Sequence, residues 1–252
     1  FVGARDGDVV FVRNATAGVN AVLRSLDLRP RDELLTLDHV YNACRNAMEY
    51  VASRSGARVV VAPVPFPIGS EDQVLDALLR AVTSRTRLVL VDHITSPTAL
   101  VLPVARICSE MRARHVDVLV DGAHAPGHVP LDIPSLGATW YAANLHKWTC
   151  APRGAALLWV HPDRQRDIHP AIISHGYNSR ADRPRWLEEF DWVGTDDPTP
   201  WLCVPEALEF VGGLAPGGWP EVMARNRAMT LRARDALCAL LEGPPPAPDA
   251  MV

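Results

Sequence analysis

The chain lacks any excess of positive charge: its 25 Lys and Arg face 29 Asp and Glu over 252 residues, a formal net charge of −4. Without a basic patch there is no source for the phosphate contacts that hold nucleic acid, and a small-molecule partner is the expectation. Also missing is any run near the ~20 apolar residues that a bilayer crossing needs, so no membrane partner is expected. The opening FVGARDGDVV has neither the basic n-region nor the apolar h-region of a secretory signal. The five cysteines, Cys44, Cys108, Cys150, Cys203 and Cys238, are odd in number and scattered without metal-ligand spacing. Reduced thiols, no metal and a cytoplasmic location follow as expectations. No Walker-type lysine and no GxGxxG run accompany the NATAG turn, which sets a nucleotide-binding reading well below the others.

What is present is a regular alternation of apolar segments. With 48% hydrophobic and 21% charged residues, the chain can bury the core of one large domain or a little more. Runs at 8–13 (DVVFVR), 33–37, 58–63 (RVVVAP), 87–92 (RLVLVD) and 115–120 (HVDVLV) read as strands buried within a parallel sheet. Helical spacing follows the NATAG turn at Val19, Val22, Leu23 and Leu26, and recurs at about 42–53 before Gly56, at 71–82 with Ser70 as N-cap, and at 104–114. Beyond a loop-rich, charged 161–200, it returns at 201–214 and 219–241. This alternation predicts an α/β fold of six or seven mostly parallel strands, with a ligand crevice at their carboxyl ends. The Pro-rich close, EGPPPAPDAMV, is expected not to fold.

Two residues stand out for chemistry. Asp121 follows the 115–120 run, at the end of the sheet where open α/β folds bind ligands; before Gly122 it equally suits a turn aspartate. Lys147 lies in TWYAANLHKWTCAPRGAALLWV, apolar surroundings that favour a partly desolvated amine of lowered pKa, a nucleophile towards an aldehyde. Its ordinary alternative is a snorkelling surface lysine. The turn Asn14, Ala15, Thr16, Ala17, Gly18 between strand and helix offers free N–H groups and a helix dipole to an anion, while Asn14 or Thr16 also suits an N-cap.

Through its DGAHAPG and NLHKWTCAPRG runs the chain resembles the class V branch of pyridoxal-phosphate (PLP) enzymes of the aspartate-aminotransferase fold, and most of all its isopenicillin-N-epimerase-like members. That resemblance implies an aspartate-aminotransferase-like large domain: a mostly parallel seven-stranded sheet flanked by helices, with GAALLWV antiparallel. It implies PLP held as a Schiff base by Lys147, and Asp121 paired with the pyridine nitrogen. A carboxylate there keeps the nitrogen protonated, so negative charge at the substrate's α-carbon spreads into the ring; the released lysine then moves the α-proton. By the same resemblance Ala15 and Thr16 belong to the phosphate loop, Tyr41 rather than His39 covers one face of the ring, and Ser96 meets the ring hydroxyl. His124 falls near the ring oxygen or the imine, and Asn144 and His146 reach the phosphate. Arg153 matches the arginine of the family's APRG run, with a phosphate, a substrate carboxylate or a carbonyl as its partner. Thr195 crosses to the phosphate in a neighbouring subunit, which implies a homodimer with shared sites.

Each assignment has an ordinary reading beside it: a turn or loop residue for Tyr41, Ser96, His124 and Thr195, a cap or core hydrogen bond for Asn144 and His146. Relatives of this type are longer, so a fragment is expected: residues 1–217 as the PLP-binding large domain, residues 218–252 as a linker helix towards an absent small domain, ending in the Pro-rich tail. The expected function is an enzyme acting on an amino acid at the α- or β-carbon, as an epimerase, transaminase or carbon–sulfur lyase. The alternative is a non-catalytic fragment that keeps the cofactor domain as a binding or structural module.

Overall fold

The computed structural model describes residues 1–252. Its strands are β1 (Val9–Val12), β2 (Glu33–Leu37), β3 (Arg58–Ala62), β4 (Thr86–Asp92), β5 (Asp117–Asp121), β6 (Trp140–Asn144) and β7 (Ala156–Val160). They form one sheet in the order β1-β7-β6-β5-β4-β2-β3. β7 alone runs against the rest, pairing antiparallel with β1 and β6, as expected for GAALLWV. Between and after the strands come α1 (Ala15–Ser25), α2 (Asn42–Ser55), α3 (Glu71–Ala81), α4 (Val104–Arg112), α5 (Ile133–Leu136), α6 (Arg185–Asp191), α7 (Thr199–Leu202), α8 (Val204–Gly212) and α9 (Gly218–Leu240). None of the helices is long and apolar enough to cross a membrane.

Side chains alternate across each strand, and the alternation builds two cores. Val89, Val91, Val118, Val120, Tyr141 and Ala143 pack with α3 and α4 on one face; Leu88, Leu90, Leu119, Trp140 and Ala142 pack under α1 and α2 on the other. Each such side chain contributes about 1.5–3 kcal/mol when fully buried, and a one-residue slip would turn both rows to the wrong face. The same period carries Asp92, Asp121 and Asn144, which end β4, β5 and β6, onto the α1–α2 face. Asp92 and Asp121 are register partners there. α1 crosses β6 so closely that a β-carbon at Gly18 would lie 2.9 Å from the Ala142 methyl, so only glycine fits.

Local signals set the helix ends. The Asn14 side chain accepts from the Ala17 amide at 2.8 Å, the N-cap of α1. Ser70 and Gln73 form a capping box before α3, and α2 stops at Gly56 in the left-handed region.

Several expectations need correction. The 115–120 strand begins only at Asp117: His115 has φ 57° and belongs to the turn after α4. The run at 58–63 is the sheet's edge, paired with β2 alone and half-buried; β-branched residues suit the pleated backbone at an edge as well as in the centre. Within 161–200 a two-turn helix, α6, buries Trp186 and Phe190. The helical run 201–214 breaks at Cys203 into α7 and α8, because Pro205 has no amide to continue the ladder. The tail is ordered against the body. Ile68 N–H donates to Pro246 O at 2.8 Å, Val101 N–H donates to Met251 O at 2.9 Å, and Ala247 and Met251 are buried in the core. Prolines cost the tail donors but leave its carbonyls, and their fixed φ leaves little backbone freedom to lose on docking.

At the sheet end away from Asp121, Glu33 has no exposed surface, and its carboxylate accepts from the Thr83 hydroxyl, Arg58 and Arg85. Burial alone would raise its pKa; these donors outweigh it and hold the group at about 2. Both guanidiniums lie half in water, so the knot is worth about 1–3 kcal/mol. Its folded pKa lies below the unfolded 4.5, so the stabilisation is complete above pH 4.5 and vanishes as pH falls through about 2. Glu33→Gln is expected to lower stability in urea by that amount at pH 7, with the difference from the parent narrowing across that acid window; an equal deficit at every pH would count against the ionic origin.

Candidate active site

A cavity of about 270 Å³ opens where β4, β5 and β6 end and α1 and α2 begin. Asp121 lies at its floor because β5 delivers it, buried, to the α1–α2 face. Its Oδ1 accepts from the Ala123 amide at 3.0 Å and its Oδ2 from the Cys44 thiol at 3.0 Å. The Ala123 contact is the turn expected of Asp121, and its place in the cavity lining is the crevice position. Asp92 lines the same cavity beside it, with the Tyr41 amide 3.5 Å from its Oδ1.

Burial raises the pKa of both acids, and Asp121's charge pushes Asp92 further. Two carboxylates on paired positions of adjacent strands cannot both stay ionised in so dry a site. Backbone amides and Lys147 favour the anion at both, but the Cys44 thiol donates to Asp121 alone, so the pair's shared proton rests on Asp92.

Lys147 lines the same cavity, half-buried, with Nζ 2.9 Å from His124 Nε2. Burial lowers its pKa, against the pull of Asp121, Asp92 and Cys44. His124 is held at about 4, by burial first and then by Lys147 and His128, and is neutral at pH 7. Lys147 is also the only lysine among the chain's 25 Lys and Arg residues, a compositional signal that the motif reading did not use.

At the α1 end, Ala15, Thr16, Asn144 and His146 meet. The Ala15 amide is already bonded to Asn144 Oδ1 at 2.8 Å, and Asn14 holds the Ala17 amide. Thr16, between them, keeps its amide and hydroxyl free of protein partners. His146 Nδ1 lies 3.0 Å from the Ala155 carbonyl; a carbonyl only accepts, so Nδ1 carries a proton and Nε2 is left for a ligand.

Tyr41, at the N-cap of α2, and exposed Ser96 also line the cavity. His39 does not. It is buried, hydrogen-bonded through Nδ1 to Thr98 Oγ1 at 2.8 Å, and so braces the loop that carries Ser96. Thr195 is exposed and outside the cavity of its own chain, on a loop tied to the α1 turn by the Asp196–Arg13 pair. Arg153 is exposed and likewise outside it.

Sequence reasoning missed Asp92 and Cys44. Asp92 carried the same mark as Asp121, an acid closing a buried run (RLVLVD). Cys44 had only its place one helical turn after Tyr41, which no chemistry singled out. No group of three or more His, Cys, Asp or Glu side chains is placed to hold a metal ion.

The family model described as Aminotransferase class-V matches residues 1–239. The chain belongs to the class V aminotransferase family. This class V chain has named relatives of more than one chemistry. It is 37% identical over 243 residues to isopenicillin N epimerase from Amycolatopsis lactamdurans, covering 91% of this chain and 61% of that one. It is 33% identical over 238 residues to a probable chloroplastic L-cysteine desulfhydrase of Arabidopsis thaliana, covering 88% of this chain and 49% of that one. Among solved structures it superposes with a TM-score of 0.78 and 25% identity on a mutant of C-DES with glycine covalently linked to the PLP cofactor, covering 93% of this chain and 63% of that one. The chain thus spans about half to three-fifths of the length of these curated relatives.

Proposed function

We propose that residues 1–217 form the cofactor domain of a PLP-dependent enzyme acting on an amino acid at its α- or β-carbon, as an epimerase, transaminase or carbon–sulfur lyase, and that residues 218–252 lead towards a further small domain. The observation that carries this reading is one cavity lined by a lysine amine, a buried carboxyl and the first turn of α1.

The donor set fits the cofactor's parts. Thr16 contributes an unpartnered amide and hydroxyl at a helix N terminus for the phosphate, with the Asn144 side-chain amide and, as the imidazolium, His146 Nε2–H as further donors beside them. Asp121 retains acceptor capacity beyond its two protein bonds, and its charge suits a protonated ring nitrogen. Tyr41 brings an aromatic ring from the α2 side, and Ser96 and His124 bring polar groups for the ring hydroxyl. When bound, PLP supplies an electron sink for negative charge developing on the substrate. Lys147, whose pKa burial lowers, would be the point of covalent attachment and afterwards the base that moves the α-proton. The same proposal takes Thr195, which is exposed, to serve the site of a second copy in a homodimer.

Borohydride reduction of the chain after incubation with PLP, followed by peptide mass mapping, tests the assignment. A pyridoxyl group on Lys147 is expected, and the only competing amine is the Phe1 N terminus. No incorporation, or incorporation at Phe1 alone, would leave the non-catalytic reading standing. Sedimentation reports the dimer, and a screen of amino acids with the full-length protein reports which reaction is run.

A further inference from the structure

One contact beside the lysine is not used by the chemistry above. The Trp148 indole N–H points to His124 Nδ1 at 3.4 Å, while His124 Nε2 lies 2.9 Å from Lys147 Nζ. An indole nitrogen donates and does not accept. Nδ1 of His124 is then the acceptor, and the single proton of the neutral ring sits on Nε2. That proton faces Nζ, which accepts it only as an uncharged amine with a free lone pair.

We propose that Trp148 is a positioning residue: through the tautomer of His124 it holds the Lys147 side chain as the free amine, the form that attacks an aldehyde. The proposal rests on the cofactor reading above, and it adds the device that keeps the amine ready.

The backbone is shaped for this contact. Gly127, at φ 80°, lets its turn pass against the backbone of Trp148, where a β-carbon would lie 2.9 Å from the Trp148 carbonyl carbon and oxygen. The His128 ring packs on the indole with centroids 4.5 Å apart. The groups facing Lys147 come from three further elements, Asp121 from β5, Asp92 from β4 and Cys44 from α2; the charge of Asp121 favours the ammonium, and burial outweighs it. Around His124, burial, Lys147 and His128 all disfavour the charged ring. Electrostatics therefore leaves the ring neutral, and the indole decides which nitrogen is protonated. Without the indole N–H, the proton can move to Nδ1; Nε2 then accepts from a lysine ammonium, and the amine's pKa rises.

Because Lys147 is the only lysine, labelling the cofactor-free chain with ¹³Cε-lysine gives one side-chain signal to titrate. Trp148→Phe keeps the ring and removes the N–H. Its titration midpoint is expected about one pH unit above that of the parent, with reaction of the amine with pyridoxal at neutral pH slowed about tenfold. In the unsubstituted chain, ¹⁵N spectra of the histidine rings, with His124 assigned from its loss in His124→Gln, are expected to show the proton on Nε2. A midpoint unmoved in Trp148→Phe overturns the proposal, and so does a proton on Nδ1 in the parent, whether or not the variant folds. Both measurements need no bound cofactor, so a chain that gave the expected titration and tautomer yet took up no PLP would sink the proposed function and leave the role of Trp148 intact.

Discussion

In Lys147→Ala, the absorbance band of bound PLP near the visible edge is expected to disappear, and turnover by the full-length enzyme to fall about ten-thousand-fold, the upper range for one positioned acid–base group. The size of the effect follows from the absence of a substitute. No other lysine lies in these 252 residues, and the Phe1 amine does not line the cavity. The substitution costs the fold little, because Nζ bonds only to His124; the far-ultraviolet circular dichroism of the cofactor-free variant should match the parent. Spectra and turnover measured together decide the matter, and a variant that retained both would remove Lys147 from the chemistry altogether.

The second large effect separates two acids that look alike in sequence. Asp121→Asn is expected to lower turnover by about 10²–10³-fold, the loss that follows removal of one preorganised electrostatic group. Asp92→Asn should be far milder, within about tenfold, since asparagine copies the shape of an acid that already carries its proton. The physical basis is the contrast in partners. Both acids have backbone donors and Lys147 nearby, but only Asp121 receives a thiol, from Cys44, and only Asp92 is pushed up by the charge of its neighbour. A titration of PLP binding alongside turnover checks both variants, and equal losses in the two would show that the proton is not placed on Asp92.

Much of the site was readable because its residues sit at transitions that sequence marks. Asp121 closes an apolar run, Asn14 precedes an amphipathic helix as its N-cap, and Lys147 lies in an apolar stretch. Tyr41 lines the cavity, whereas His39 turns away to Thr98. What escaped were partners whose meaning is positional. Cys44 matters because α2 lays it on Asp121, 77 residues away in the chain, and the Ala15 amide is unavailable because Asn144, 129 residues on, has taken it. The tail misled for a related reason: proline content argues against regular structure, yet Met251 finds a pocket in the core that only the assembled sheet provides.

The sequence by itself determined the alternation of strands and helices, since hydrophobic periodicity is a local property that each segment carries alone. Which side of each strand faces α1 and α2, and so that Asp92, Asp121 and Asn144 share a face, came from the packing, because a strand buried on both faces is apolar throughout. Only the tertiary structure decided which of those groups are charged and which nitrogen of His124 bears its proton. Protonation depends on desolvation and on donors brought from remote segments, and no stretch of chain holds those by itself.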